Sequence, residues 1–144
     1  MKIEERKCWL CSEVLQVMDM AKKAILLLLT VMAVSGVSPT VYTVGDVGGW
    51  SSLCVVNYTE WAAAIEFQVG DILYFEYDPG FHNVVQVRRE DYHACNAKNP
   101  IATYSSGKDY IKIKSPGHYF YICGFVDHCK LTDQKVDIRV PKHH

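Results

Sequence analysis

The residues of this 144-residue chain best equipped for chemistry are one thiol and two imidazoles. In Tyr121-Ile122-Cys123-Gly124-Phe125-Val126-Asp127-His128-Cys129, Cys123 and His128 stand five positions apart across a glycine-containing loop. A further histidine, His82, opens the valine-rich run His82–Arg88, 41 positions before Cys123. Two imidazoles and one thiolate make a trigonal His2Cys set, the donor arrangement of blue copper electron-transfer centres. Two other arrangements use the same residues. Cys123 and Cys129 can be oxidised to each other or to further cysteines, which leaves His82 and His128 as ordinary surface residues. Cys123, His128, Cys129 and His82 can also form a tetrahedral Cys2His2 zinc site. Spacing alone leaves the three readings open.

The compartment bears on which cysteines stay reduced. Lys22 and Lys23 precede the apolar run Ala24–Val34, and the small residues Ser35-Gly36-Val37-Ser38 follow. A positive flank, a short apolar run and then small residues build a secretory signal. The run falls short of the roughly 20 residues that a membrane-spanning helix needs. Residues 1–38 are therefore expected to be an N-terminal extension and signal, with cleavage near Gly36 and Val34 at the −3 position. Met20-Ala21-Lys22-Lys23 makes a normal signal start, so Met20 is the expected initiator. The Cys8-Trp9-Leu10-Cys11 pair precedes the signal and is set aside. Residues 39–144 form the mature domain, which holds Cys54, Cys95, Cys123 and Cys129 in an oxidising environment. Asn57-Tyr58-Thr59 is a glycosylation sequon. Nothing after Val140 reads as a lipid or membrane anchor, and the product is expected to be soluble and secreted.

The elements that must position these residues read as short strands. Thr40–Val44, Asp71–Tyr77, His82–Arg88, Tyr110–Lys114, His118–Cys123 and Gln134–Val140 are β-branched, aromatic or alternating, with Gly and Pro turns between them. One helical segment is expected, Thr59–Ala64, with Thr59 as N-cap. The fold class is all-β, an antiparallel sandwich or barrel. The composition is 49% hydrophobic and 22% charged, which is globular. A net charge of −1 with no basic stripe argues against nucleic acid as a partner.

From about Val41 to Val140 the sequence resembles the phytocyanins, the plant branch of the cupredoxins, and within them the stellacyanin-like group. The resemblance is carried by Val41-Tyr42-Thr43-Val44-Gly45-Asp46 with Gly49-Trp50, Trp61-Ala62, Phe67-Gln68-Val69-Gly70-Asp71 and Phe81-His82-Asn83-Val84-Val85. It continues through Cys95-Asn96, Pro100-Ile101-Ala102-Thr103-Tyr104, Tyr119–Gly124 and His128-Cys129. It implies a Greek-key β-sandwich with one or two short helices and a single type 1 copper ion. His82, Cys123 and His128 fall on the three strong ligands. Asn83 falls on the residue that ties the ligand-bearing segments together. Cys95 and Cys129 fall on the family disulfide, which leaves Cys123 free as a thiolate. Cys54 has no counterpart. The implied activity is one-electron carriage by Cu(II)/Cu(I) cycling in the apoplast or cell wall, by a monomer serving a small-molecule or protein redox partner; the edge of His128, where its loop nears the surface, is the expected exit.

The axial ligand departs from the family pattern of Met or Gln. All four methionines lie at or before Met32, so the mature domain has none. The usual position is five residues after the second histidine, here Asp133. Val136, Ile138 and Val140 share one face of a strand by its two-residue period, and Gln134 shares it with them. Asp133 points the other way with Lys135, Asp137 and Arg139. Gln134 is therefore the expected axial donor, with Asp133 or no donor as alternatives. An amide oxygen favours Cu(II) over Cu(I) more than a thioether does, so a low potential is expected.

The remaining candidates read blandly. His93 and His118 are expected to be solvated, His143 and His144 to fray, Trp50 and Trp61 to pack, and Arg88–Asp91 to form a solvated turn. No nucleophilic serine with its base, phosphate loop or carboxylate pair is recognisable. An oxidase needs further histidine-rich copper sites or an open coordination position, so an enzyme is not expected. The rival is a non-redox extracellular interaction protein on the same fold.

Overall fold

The computed structural model describes residues 16–25, 38–53 and 55–142. Met1–Val37 and Ser38–His144 are separate compact units. In the first, residues 16–25 are helical and exposed, with Lys23 paired to Asp19 at 3.0 Å. Most of the apolar run, the cleavage region, Cys8, Cys11, Cys54, His143 and His144 lie outside the described residues. Among the described residues no helix is long and apolar enough to cross a membrane.

The second unit is a two-sheet β-sandwich. One sheet orders β1 (Val41–Thr43), β2 (Ile72–Glu76) and β5 (Lys108–Lys112). The other orders β4 (Ala102–Tyr104), β3 (Val84–Val87), β6 (Gly117–Ile122) and β7 (Lys135–Val140). The six strands expected from the sequence are present with ends shifted by at most two residues. Five expectations need correction. The sheets are not wholly antiparallel, because β1 pairs parallel to β2, with Val41 opposite Ile72. The long connection between them provides the crossover that a parallel pair requires. Strand β4 was not foreseen. It has three residues and gains its strand character by pairing with β3.

Among the described residues of this unit there are three short α-helices, where the residues predict one and the resemblance implies one or two: α1 (Tyr58–Ala63), α2 (Arg89–Ala94) and α3 (His128–Thr132). The cap of α1 is Asn57, not Thr59, and its side chain accepts a hydrogen bond from the Glu60 amide at 3.2 Å. Helix α2 replaces the expected solvated turn at Arg88–Asp91. Glu90 and Asp91 suit its N-terminal turn electrostatically. Its stability comes from tertiary packing, since the buried Tyr92 lies against Phe120 with ring centroids 5.2 Å apart.

The inner faces of both sheets bury Trp50, Phe67, Leu73, Phe75, Val84, Tyr121, Val136 and Ile138. Phe75 lies between Trp50 and Tyr121, at centroid distances of 5.2 and 5.3 Å. A smaller cluster of Val85, Val87, Tyr92, Ile122 and Cys129 forms separately. Strand β3 therefore has both faces covered, which is why Val84, Val85 and Val87 are all apolar rather than alternating. Asp71 is buried where β2 begins, and its carboxylate accepts from the Thr40 and Gln68 amides at 3.0 and 2.8 Å.

Candidate metal centre

Three segments far apart in sequence deliver the thiol and the two imidazoles to one end of the sandwich. His82 does not open β3; it lies in the turn before it, two residues short of Val84. The Asp78-Pro79-Gly80 turn holds it there, its amide donating to the Asp78 carbonyl at 3.0 Å. Cys123 directly follows β6 and is buried. His128 is the first residue of α3, entered through Asp127 in the left-handed region (φ 67°). The two His Nδ1 atoms lie 4.0 Å (His82) and 3.5 Å (His128) from Cys123 Sγ. The three donor atoms fall within 4.8 Å of one another. The imidazole rings are 4.9 Å apart.

Gln134 arrives by strand register. Ile122 faces Lys135 in the β6–β7 ladder, so one step further Cys123 faces Gln134, and the Cys123 amide donates to the Gln134 carbonyl at 3.0 Å. Its side chain is completely buried, and its Oε1 lies 3.1 Å from His82 Nδ1. Asp133 caps α3 at φ 50°, and its side chain is 85% exposed beside Lys135. The alternation of β7 thus continues through Gln134 and turns Asp133 to solvent.

Asn83 joins the segments. Its Oδ1 accepts from the Gly124 amide at 2.6 Å, and its backbone carbonyl accepts from the Trp50 indole at 2.8 Å. This contact requires glycine at position 124, where a Cβ would come within 2.9 Å of Val85 Cγ2 and 3.0 Å of Asn83 Oδ1. Trp50 was expected only to pack; its role as donor to the turn carrying His82 has no signature in local spacing. Cys95 and Cys129 form a disulfide, and Cys123 is a free, buried cysteine. This excludes a Cys123–Cys129 bond and a Cys2His2 zinc site that uses Cys129.

Burial pushes the Cys123 thiol up from its ordinary value, opposed by backbone hydrogen bonds from Asn83 and Phe125. Burial lowers His82, as does the neighbouring charge of His128; the Gln134 hydrogen bond and Asp78 oppose this. Both shifts favour the uncharged forms of groups gathered at a common point. The donor set suits copper: two imidazole nitrogens, one sulfur and an amide oxygen. Among the described residues the buried Gln134 Nε2 has no partner, so the amide is held here at a cost, with its oxygen on the histidine side.

The other candidates lie elsewhere. His93 is exposed on α2. His118, on β6, is not simply solvated, since its Nδ1 lies 3.0 Å from Asp137 Oδ1. Asn57 is exposed at the start of α1, compatible with its sequon. Replacing Asn83 with Ala should weaken copper affinity by about 10–100-fold, the usual effect of losing a partner behind the ligands. Asn83→Asp, which keeps an acceptor for Gly124, should retain most of it. Competitive chelator titration measures both, and equal losses would refute the acceptor role.

A family model described as a plastocyanin-like domain matches residues 50–133. Stellacyanin of Toxicodendron vernicifluum is 46% identical over 104 residues, covering 70% of this chain and 96% of that protein. Among solved structures, cucumber basic protein, a blue copper protein, superposes with a TM-score of 0.63 at 36% identity, covering 71% of this chain and all of that one. Cucumber stellacyanin gives the same TM-score at 29% identity, covering 74% and 99%. With the sandwich and the converging His2Cys set, these similarities show that the chain belongs to the phytocyanins, the plant branch of the cupredoxins.

Proposed function

We propose that this chain is a secreted one-electron carrier whose copper ion is held by His82, Cys123 and His128, with Gln134 as axial donor. The observation that carries the reading is a free, buried Cys123 sulfur within 4.8 Å of two imidazole nitrogens from separate segments. Copper, when bound, supplies the Cu(II)/Cu(I) couple. The chain supplies a donor set held by turn, strand and helix, so little has to rearrange when the charge at the centre changes. Burial of Cys123 and Gln134 keeps water from the sulfur and amide side. The edge of His128 is the proposed exit. Phe125 stacks on it, with centroids 6.0 Å apart, and the neighbouring Val126 and Leu131 are exposed apolar residues. Such a surface excludes water from an encounter between two proteins.

Secretion is supported by the build of residues 22–38, and glycosylation by the exposed Asn57 in its sequon. The chain up to about Gly36 is then removed, and 39–144 form the working domain. The redox partner is a small molecule or a protein, the carrier acts as a monomer, and the apoplast is its expected location.

The test is to express the full chain in plant cells and recover the product from the medium. It should begin near Val37 and, with one equivalent of Cu(II), show an intense blue charge-transfer band and narrow copper hyperfine splitting. A pale product with ordinary copper EPR would refute the Cys123 bond and leave the interaction-protein reading in its place. Gln134→Met should stay blue and raise the midpoint potential by at least about 60 mV, a tenfold shift in relative affinity for the two oxidation states. An unchanged potential would remove Gln134 from the centre. Val126→Glu should slow electron self-exchange about tenfold at low salt, because two like charges then meet at the exit, and leave the visible spectrum intact. An unchanged exchange rate would place the exit elsewhere.

A further inference from the structure

A cavity of about 510 Å³ opens beside the candidate centre, with Cys123, Gly124 and Phe125 in its lining next to the Cys95–Cys129 disulfide. Its size falls in the range of small-molecule sites, roughly 300–1,000 Å³. The charges in its lining are Lys98, Lys130 and Asp127, all on exposed residues. Among the described residues neither lysine ammonium takes part in an ion pair. Lys130 belongs to α3, and Lys98 to the segment after Cys95. The disulfide ties these two segments together, so both cations have a fixed base. The cavity carries two lysines against one aspartate, and Phe125 and Val126 add an apolar wall on its His128 side.

We infer that this cavity is an entry site for a compact anionic one-electron donor, an enediolate or a carboxylated phenol, held by Lys98 and Lys130 against the backbone of Cys123 and Gly124. The inference rests on the electron-carrier reading and names the donor class for the same centre. The donor gives one electron to the oxidised centre through the Cys123 side. Either donor becomes a radical and releases its hydroxyl proton to water, and no covalent bond to the protein forms. The cavity borders the proposed exit at His128 and shares Phe125 and Val126 with it, so a donor bound there leaves before a partner protein docks.

The test has two arms, both on the full chain and its Lys98→Glu/Lys130→Glu variant. In the first, the metal-free protein is titrated with redox-inert hexacyanocobaltate(III) and with ascorbate, under exclusion of oxygen, and followed by amide NMR. Saturable shifts at Lys98, Gly124 and Lys130 are expected, and at least tenfold weaker binding in the variant. In the second, reduction of the copper-loaded protein is timed with ascorbate and with neutral hydroquinone. The variant should lose at least tenfold in rate with ascorbate at low salt and converge with the parent at high salt. It should stay within twofold with hydroquinone and keep the same blue band. Absent shifts, or equal effects on both donors, would overturn the site. If no blue band develops in the parent, the electron-carrier reading fails, and the NMR arm still decides whether the anion site exists.

Discussion

The arrangement of this molecule depends on one hydrogen-bonded clamp, Asn83 between Trp50 and Gly124. The Asn83 side chain holds the Gly124 amide at 2.6 Å, and its carbonyl takes the Trp50 indole proton at 2.8 Å. One residue thereby connects the aromatic core, the turn that carries His82 and the loop that carries Cys123. The buried indole needs an acceptor, and the loop amide needs one as well. Leaving the buried indole unpaired costs about 1–3 kcal/mol, so its half of the clamp is strongly favoured once the core has formed. Trp50 is itself fixed by Tyr58 and Phe75, with ring centroids 4.9 and 5.2 Å away. Packing in the sandwich is thus transmitted to the position of an imidazole.

A second constraint works from the other side. The Cys95–Cys129 bond closes a separation of 34 residues and fixes α3, and with it His128, to the end of α2. In the chain-entropy account a loop of that length stabilises the fold by about 3–4 kcal/mol. Helix α3 has five residues and would not persist alone. The disulfide and the β6–β7 ladder hold it at both ends. Cys129 and Cys123 thus divide the work: one is oxidised to hold the helix, and the other remains a thiol among the imidazoles.

The surroundings of the centre combine two kinds of side chain, and Phe125 and Val126 belong to both. Near His128 lie exposed apolar side chains, and beside Cys123 and the disulfide lies a cavity that carries lysines. The solved structures of cucumber basic protein and cucumber stellacyanin share this framework. In this chain the backbone is left-handed at Asp127 and Asp133, on either side of the short helix that carries His128.

Much of this was legible in the sequence because it is local. Two-residue alternation located the strands and put Gln134 on the inward face of β7 with Val136 and Ile138, and the burial pattern follows that alternation. Residue chemistry named a thiol and two imidazoles. Spacing left Cys123 open to a disulfide, and only the resemblance to a family pointed to Cys95 and Cys129 as the bonded pair. What required the tertiary structure is long-range. Strand β1 lies parallel to β2 because a crossover returns it there, and β4 exists only through its pairing with β3. Helix α2 forms where Arg88–Asp91 look like a solvated turn, because Tyr92 finds Phe120. The cap of α1 moved from Thr59 to Asn57 because the side chain one residue before the first turn reaches the Glu60 amide. Short-range patterns depend on neighbours in the chain and are written in it. Pairings between distant segments depend on which surfaces bury together, and that is decided only when the whole sandwich closes.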